Sequence, residues 1–176
     1  MASYGVILDS DLIPHGISRK FVKFPGETQD HFHSRVTHLH HQNQKISQIG
    51  DLSMVKNLTV LYLYDNKIEK IEHLDAIPSL RMLYLQRNKI SKIENISHLG
   101  KLKKLYLSNN RISVIENLEK LTNLEGIKIN LIPKIELPVL TSSSNRKLRI
   151  FQNYMWTIKN WNLTKMLSLI HARVPR

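Results

Sequence analysis

Residues 58–123 write one 22-residue sentence three times: LTVLYLYDNKIEKIEHLDAIPS, LRMLYLQRNKISKIENISHLGK and LKKLYLSNNRISVIENLEKLTN. Leu58, Leu80 and Leu102 open the copies. The same offsets then carry Leu61, Leu83 and Leu105, next Leu63, Leu85 and Leu107, and then Asn66, Asn88 and Asn110. Ile68, Ile90 and Ile112 follow, and after them Ile71, Ile93 and Ile115. A fixed period of this length means that each copy buries its apolar face against the next, so the chain must stack into a solenoid.

The copy has an internal logic. Each LxxLxL makes a short strand with leucines inward and the intervening residues outward. Strands of adjacent copies stack in parallel into a concave sheet. The asparagine stands where the chain leaves the strand, and its amide can both donate and accept, so Asn66, Asn88 and Asn110 are expected to form a buried ladder serving backbone groups of the turn. The two isoleucines lead the chain over the convex side, where 22 residues leave room only for short helical turns, mostly 3₁₀. Glu72, Glu94 and Glu116 recur there as solvated turn residues. The fold expected is an α/β solenoid of 22-residue leucine-rich repeats, with the pattern LxxLxLxxNxIxxI.

The array extends beyond these copies. Val36 stands 22 residues before Leu58 and opens a degenerate copy whose core is Leu39, Ile46, Ile49 and Leu52. A fifth copy begins with Leu124, Ile127 and Ile129, then loses the pattern: Ile132 takes the asparagine position and Pro133 and Pro138 follow. The organisation read from this is an N-terminal segment or cap over 1–35, an array of about four and a half repeats over 36–130, a linker over 131–147, and a basic, helical C-terminal cap or tail over 148–176. Phe151, Tyr154, Met155, Ile158 and Trp161 recur three and four apart, the spacing of an amphipathic helix. Such a helix either closes the open end of the solenoid or meets a membrane surface or a partner.

Residues 1–35 have no steady period, and Pro14, Gly16, Pro25 and Gly26 are expected to break any helix. One string stands out, Lys20-Phe21-Val22-Lys23-Phe24. Extended, it puts Val22 and Phe24 on one side, a geometry suited to adding a strand to a partner's sheet edge. Packing as a strand on the first copy is the alternative. Five histidines, His31, His33, His38, His40 and His41, crowd the next stretch. With no cysteine in the chain and no acidic residue between Asp30 and Asp51, a metal site is not the expected reading. The register instead turns His38 and His40 outward and puts His41 in an inward place that is apolar in the other copies.

The outward strand positions define a face. Its central column is His40, Tyr62, Tyr84, Tyr106 and Lys128, with Val60, Met82 and Lys104 on one flank and Tyr64, Gln86 and Ser108 on the other, followed by Asp65, Arg87 and Asn109. Tyrosine, methionine and arginine are the residues enriched at protein interfaces. A cross-strand aromatic stack that stabilises the sheet is an equally simple account, and the two are compatible. No cysteine nucleophile, phosphate-cradling glycine loop or Ser/His/Asp set argues for catalysis, and no cofactor is expected.

Charge narrows the partner classes only coarsely. The formal net charge is +12, with a balance of +7 in residues 131–176, which carry eight basic residues and one acidic. Such a tail attracts phosphates or acidic proteins such as tubulin. The opening residues MASYGVILDSDLIPHG lack the pattern of a secretory signal, no run of 18 apolar residues occurs, and the triplets at Asn57, Asn95 and Asn162 are not expected to be glycosylated.

The IxxIExL ending, with the stretches VTHLHHQNQKISQIGDLSMVKNLTVLYLYDNKI, LYLQRNKISKIEN and KLYLSNNRISVIENLEKL, resembles the leucine-rich repeat regulatory subunits of type 1 protein phosphatase and related axonemal and dynein-associated repeat proteins. The likeness spans about residues 36–127. It implies a non-catalytic adaptor that binds the phosphatase catalytic subunit, tubulin or a dynein complex. It also implies a cytoplasmic, cytoskeletal location at the centrosome or cilium. The concave face would do the binding, through His40, Tyr62, Tyr64, Asp65, Met82, Tyr84, Gln86, Arg87, Lys104, Tyr106, Asn109 and Lys128. The string Lys20, Val22 and Phe24 is similar to the basic–x–Val–x–Phe docking motif of phosphatase binders. A ribonucleoprotein-associated repeat protein, whose tyrosines stack bases, is the alternative. Nucleic acid is not the expected partner, because Asp65 and Arg87 mix charges on the face.

Overall fold

The leucine and isoleucine periodicity produces a parallel-sheet solenoid in the computed structural model, which describes residues 5–130. In chain order the elements are β1 (Val6–Leu8), a 3₁₀ helix (Ile13–Gly16), α1 (Gln29–Ser34), β2 (His38–His40), β3 (Ile46–Ile49), a 3₁₀ turn (Ser53–Val55), β4 (Val60–Tyr62), another (Leu74–Ala76), β5 (Met82–Tyr84), β6 (Lys104–Tyr106) and β7 (Gly126–Lys128). Strands β2, β4, β5, β6 and β7 form one five-stranded parallel sheet in that order. Register is unbroken: Leu39, Leu61, Leu83, Leu105 and Ile127 lie side by side, each 22 residues from the last.

Behind the sheet the inward side chains form one continuous core. Leu61, Leu63, Ile68, Ile71 and their equivalents Leu83, Leu85, Ile90 and Ile93 are fully buried. So are Leu39, Ile46 and Leu52, which makes Val36–Asn57 a working first copy despite its divergent sequence. Parallel pairing requires crossovers, and here each is the convex side of a copy, with 3₁₀ turns at Ser53–Val55 and Leu74–Ala76.

The asparagine ladder is the chief polar element. Asn66 donates through Nδ2 to the carbonyls of His41 (2.7 Å) and Leu63 (3.0 Å), while its Oδ1 accepts from the N–H of Gln44 and of Ile46, both at 3.0 Å. Asn88 repeats this, donating to Leu63 (2.8 Å) and Leu85 (3.0 Å) and accepting from Ile68 N–H (3.0 Å). Asn110 donates to Leu85 and Leu107 and accepts from Ile90 N–H, each at 2.9 Å. Each amide thus ties its own turn to the copy before it. Asn66 and Asn88 are buried, whereas Asn110 is only half-buried, so the expected burial holds for two rungs of three.

Immediately before each rung, and before Gln44 at the equivalent place in the first copy, the backbone is left-handed. Asn43, Asp65, Arg87 and Asn109 have φ of 56°, 58°, 54° and 58°. For non-glycine residues this conformation costs roughly 1–2 kcal/mol each, and the neighbouring amide network holds it in place. A second ladder runs along the convex corner, unforeseen in the sequence. His73, Asn95 and Asn117 are also left-handed. His73 Nδ1 bonds the Ile49 carbonyl at 2.7 Å, and the Asn95 and Asn117 amides donate to Ile71 (2.8 Å) and Ile93 (2.6 Å).

The N-terminal segment differs from expectation in two ways. Pro14 and Gly16 lie inside a 3₁₀ helix, since proline suits the first positions of a helix. Residues Gln29–Ser34 form a helix capped by Thr28, whose side chain accepts from His31 N–H. Leu8 and Ile13 reach the core, and β1 pairs with β3, so this segment closes the first end of the solenoid. His41 is fully buried against it: a Cβ on Gly16 would lie 2.2 Å from His41 Nε2, so only glycine fits. Burial pushes the His41 pKa below its usual value.

Residues 21–24 belong to no strand. A charge cluster fixes them instead. Arg35 bonds Glu27 through Nε (2.6 Å) and Nη2 (2.7 Å) and also donates to the Val22 carbonyl at 3.2 Å. Its guanidinium lies 4.8 Å from the Phe21 ring centre and 4.2 Å from that of Phe24. Phe24 N–H donates to Glu27 (2.9 Å), and His31 Nδ1 lies 2.6 Å from it.

Two outcomes follow from these contacts. Asn88→Ala strands the buried Ile68 N–H and leaves the Leu63 and Leu85 carbonyls only their bonds from Asn66 and Asn110, so it should lower stability by roughly 1–3 kcal/mol, read from urea melts. The Arg35 bonds pull the Glu27 pKa from 4.5 to about 2. The ionised form is the one bound, so its contribution is complete above about pH 4.5 and is lost as pH falls towards 2. Amide exchange of residues 21–35 should therefore accelerate across that window ahead of the array, and Glu27→Gln should abolish the transition.

Candidate binding face

Period-2 alternation turns the middle residue of each strand inward and its neighbours outward. The central outward column is therefore His40, Tyr62, Tyr84, Tyr106 and Lys128, paired in register across five strands. Its four rings stack. His40 and Tyr62 centroids are 4.5 Å apart at 10° between planes, Tyr62 and Tyr84 are 4.7 Å apart at 21°, and Tyr84 and Tyr106 are 4.4 Å apart at 5°. Lys128 Nζ lies 5.5 Å from the Tyr106 ring centre and closes the column with a cation. The spacing is that of the strands, so the sheet itself enforces the stack. Each ring remains half-exposed and keeps an edge for contact.

Burial beneath the neighbouring rings shifts the ionisable members. The His40 pKa is lowered, first by desolvation and then by His38, so His40 is neutral at pH 7. Desolvation, then Tyr106, raises Tyr84 above its usual value. The column thus presents uncharged aromatic surface except at Lys128.

The flanks are unequal. On the strand-entry side lie His38, Val60, Met82 and Lys104 in register. Val60, expected to face outward, is 3% exposed because its neighbours cover it, which removes it from the contact surface. Tyr84 OH donates to Met82 Sδ at 3.7 Å and fixes that pair. On the strand-exit side lie Tyr64 and Gln86, both half-buried. Beyond them the left-handed turn aims Asp65 and Arg87 at each other in a two-pronged ion pair, with Arg87 Nη2 2.7 Å from Asp65 Oδ2 and a second contact from Nε. The Asp65 carboxyl is held below its usual range by that guanidinium. Asn109 continues the row and accepts from Asn130 at 3.0 Å.

The remaining sequence-derived positions lie elsewhere. Asn66, Asn88 and Asn110 serve the backbone of the solenoid. Val22 is 62% and Phe24 57% exposed, whereas Phe21 packs against the core. Lys20 is exposed. This string is at the N-terminal end of the array and is no part of the aromatic face. No three His, Cys, Asp or Glu side chains among the described residues are placed to hold a metal ion. The helical face Phe151–Trp161 lies outside the described residues.

Comparison with known proteins agrees with this architecture. Residues 56–99 and 100–141 match the family model described as Leucine Rich repeats (2 copies). A search of curated proteins returns no match. Among solved structures, a chain of the Drosophila melanogaster SNF/U2A′ complex superposes with a TM-score of 0.55 at 21% identity, over 94% of this chain and 99% of that one. Internalin C2 and internalin F of Listeria monocytogenes give TM-scores of 0.47 and 0.44 at 23% and 25% identity, over 59% and 64% of this chain. The chain spans less than half of either internalin structure, 46% and 37%. The repeat pattern, the in-register parallel sheet and the matched copies over residues 56–99 and 100–141 together show the fold to be a parallel-sheet solenoid of leucine-rich repeats.

Proposed function

We propose that the chain is a non-catalytic adaptor that grips a protein partner on its concave face. The observation that carries this reading is the stack of four half-exposed rings in the middle of the sheet. Rigid aromatics already held in place lose little side-chain entropy on binding, which is the property of interface hot spots. The ion pair of Asp65 and Arg87 and the cations Lys104 and Lys128 give the face a polar rim.

The partner in this reading is the catalytic subunit of type 1 protein phosphatase, with a microtubule or dynein-associated complex as the wider setting. In this reading residues 36–127 resemble the testis leucine-rich repeat protein known as protein phosphatase 1 regulatory subunit 42. A cytoplasmic site at the centrosome or cilium belongs to the same reading. The exposed Val22 and Phe24 supply a second handle, separate from the concave face. Using it requires Phe24 to leave the Arg35 guanidinium, a cation–π contact of about 0.5–1 kcal/mol at an exposed site.

A ribonucleoprotein setting is the second reading. It is favoured by the SNF/U2A′ neighbour, which matches nearly the full length of both chains, and by ring faces on which bases could stack.

Pull-down with purified phosphatase catalytic subunit separates the handles and the readings. Tyr84→Ala should weaken capture about tenfold or more, and Val22→Ala/Phe24→Ala should weaken it independently. Unchanged recovery by both variants would remove the phosphatase reading. Binding of generic RNA that falls steeply with salt and is lost in Tyr84→Ala would favour the second.

A further inference from the structure

The solenoid repeats its edge as faithfully as its core, and one edge position differs in a chemically pointed way. At the strand-exit side, Lys67, Lys89 and Arg111 stand in one column. Their N–H groups donate to the carbonyls of Ile46, Ile68 and Ile90 at 2.7, 2.9 and 2.7 Å, so the three share one backbone register. The adjoining column, 20 residues earlier in each case, is Ser47, Glu69 and Ser91. In the middle pair the chemistry is complete: Lys89 Nζ lies 3.5 Å from Glu69 Oε1. By the same register Arg111 stands opposite a neutral serine, Ser91, where a carboxylate sits one copy earlier. Ser91 and Arg111 are both exposed, and the Ser91 hydroxyl bonds no described residue.

We infer that Ser91 is a phosphorylation site for an acidophilic serine kinase, and that its phosphate docks on Arg111 as Glu69 does on Lys89. Two independent features meet only at this serine. The first is the waiting cation across the copy boundary, whose planar fork suits a phosphate. The second is Glu94, three residues on in Ser91-Lys92-Ile93-Glu94, the carboxylate that an acidophilic kinase reads with its own basic pocket. Ser47 fails both ways: Gly50 stands three residues on, and its hydroxyl donates to the Val6 carbonyl at 3.2 Å. Ser113 has Glu116 three residues on, but 20 residues further the sequence reads Pro133, an uncharged residue.

In the reaction the Ser91 Oγ attacks the γ-phosphorus of ATP, the bond to the ADP oxygen breaks, and the hydroxyl proton passes to the kinase's base. The product carries about −1.5 to −2 charges at pH 7. The columns at this edge hold three cations, Lys67, Lys89 and Arg111, and one carboxylate, Glu69, which pairs with Lys89. A phosphate at Ser91 therefore offsets the charge of the row and ties two copies together.

The test uses the full chain, ATP and casein kinase 2 as the probe. A phosphate should appear on Ser91 by site-resolved mass spectrometry, be absent from that peptide in Ser91→Ala, and form there about tenfold more slowly in Glu94→Gln. In phosphorus NMR the phosphoserine should titrate below its usual value of about 6 and return to it in Arg111→Gln, which should be phosphorylated at the wild-type rate. Incorporation only after heat unfolding, no incorporation at Ser91, or a titration indifferent to Arg111→Gln would each overturn the inference. None of these readouts depends on the partner proposed for the concave face.

Discussion

The array depends on one bond pattern, an asparagine amide that satisfies backbone groups of its own turn and of the copy before it. A solenoid turn must leave its strand sharply, and a sharp exit leaves N–H and C=O groups without sheet partners. In a buried setting each such group costs about 1–3 kcal/mol unless it is paired. Asn66 meets this need with two donated and two accepted bonds to four different backbone groups, and Asn88 with a similar set. No apolar residue could do so, and a charged one would bring desolvation with it. The left-handed residue before each asparagine is possible because the amide is there, and the direction of Asp65 and Arg87 follows from that residue.

The concave face is a by-product of the same regularity. Parallel in-register strands place equivalent side chains at the interstrand distance, close to the stacking distance of aromatic rings. Tyrosine at one offset therefore becomes a column without further design. What the face adds is asymmetry between its ends. It begins at His40, neutral at pH 7, and finishes at Lys128, a fixed cation, so a partner meets a graded surface rather than a uniform one.

Much of this was legible because a repeat lets three clear copies teach the worn ones. Leu39, Ile46 and Leu52 were placed in the core by offset alone, and the ring column by the same arithmetic. Periodicity does not speak where it is absent. The cap formed by β1, the 3₁₀ helix at Ile13–Gly16 and α1 depends on contacts between segments dozens of residues apart, such as β1 with β3 and Gly16 with His41. Proline and glycine marked breaks in the sequence, yet proline at the start of a short helix is favourable. The corner ladder of His73, Asn95 and Asn117 was hidden for another reason. It mixes two residue types whose common property, a hydrogen-bond donor tolerated at positive φ, is geometric. The covering of Val60 was missed because an outward direction does not guarantee solvent once larger neighbours stand on both sides.

The left-handed turn has a consequence for how such a chain can change over time. Asn43, Asp65, Arg87 and Asn109 each impose a local strain, and Asn66, Asn88 and Asn110 each supply a local remedy within three residues or one copy. Cost and compensation travel in the same 22-residue cassette. A duplication or deletion of one cassette therefore leaves the remaining joints as they were. Reach along the partner can be adjusted in whole steps, while the chemistry of each joint stays the same.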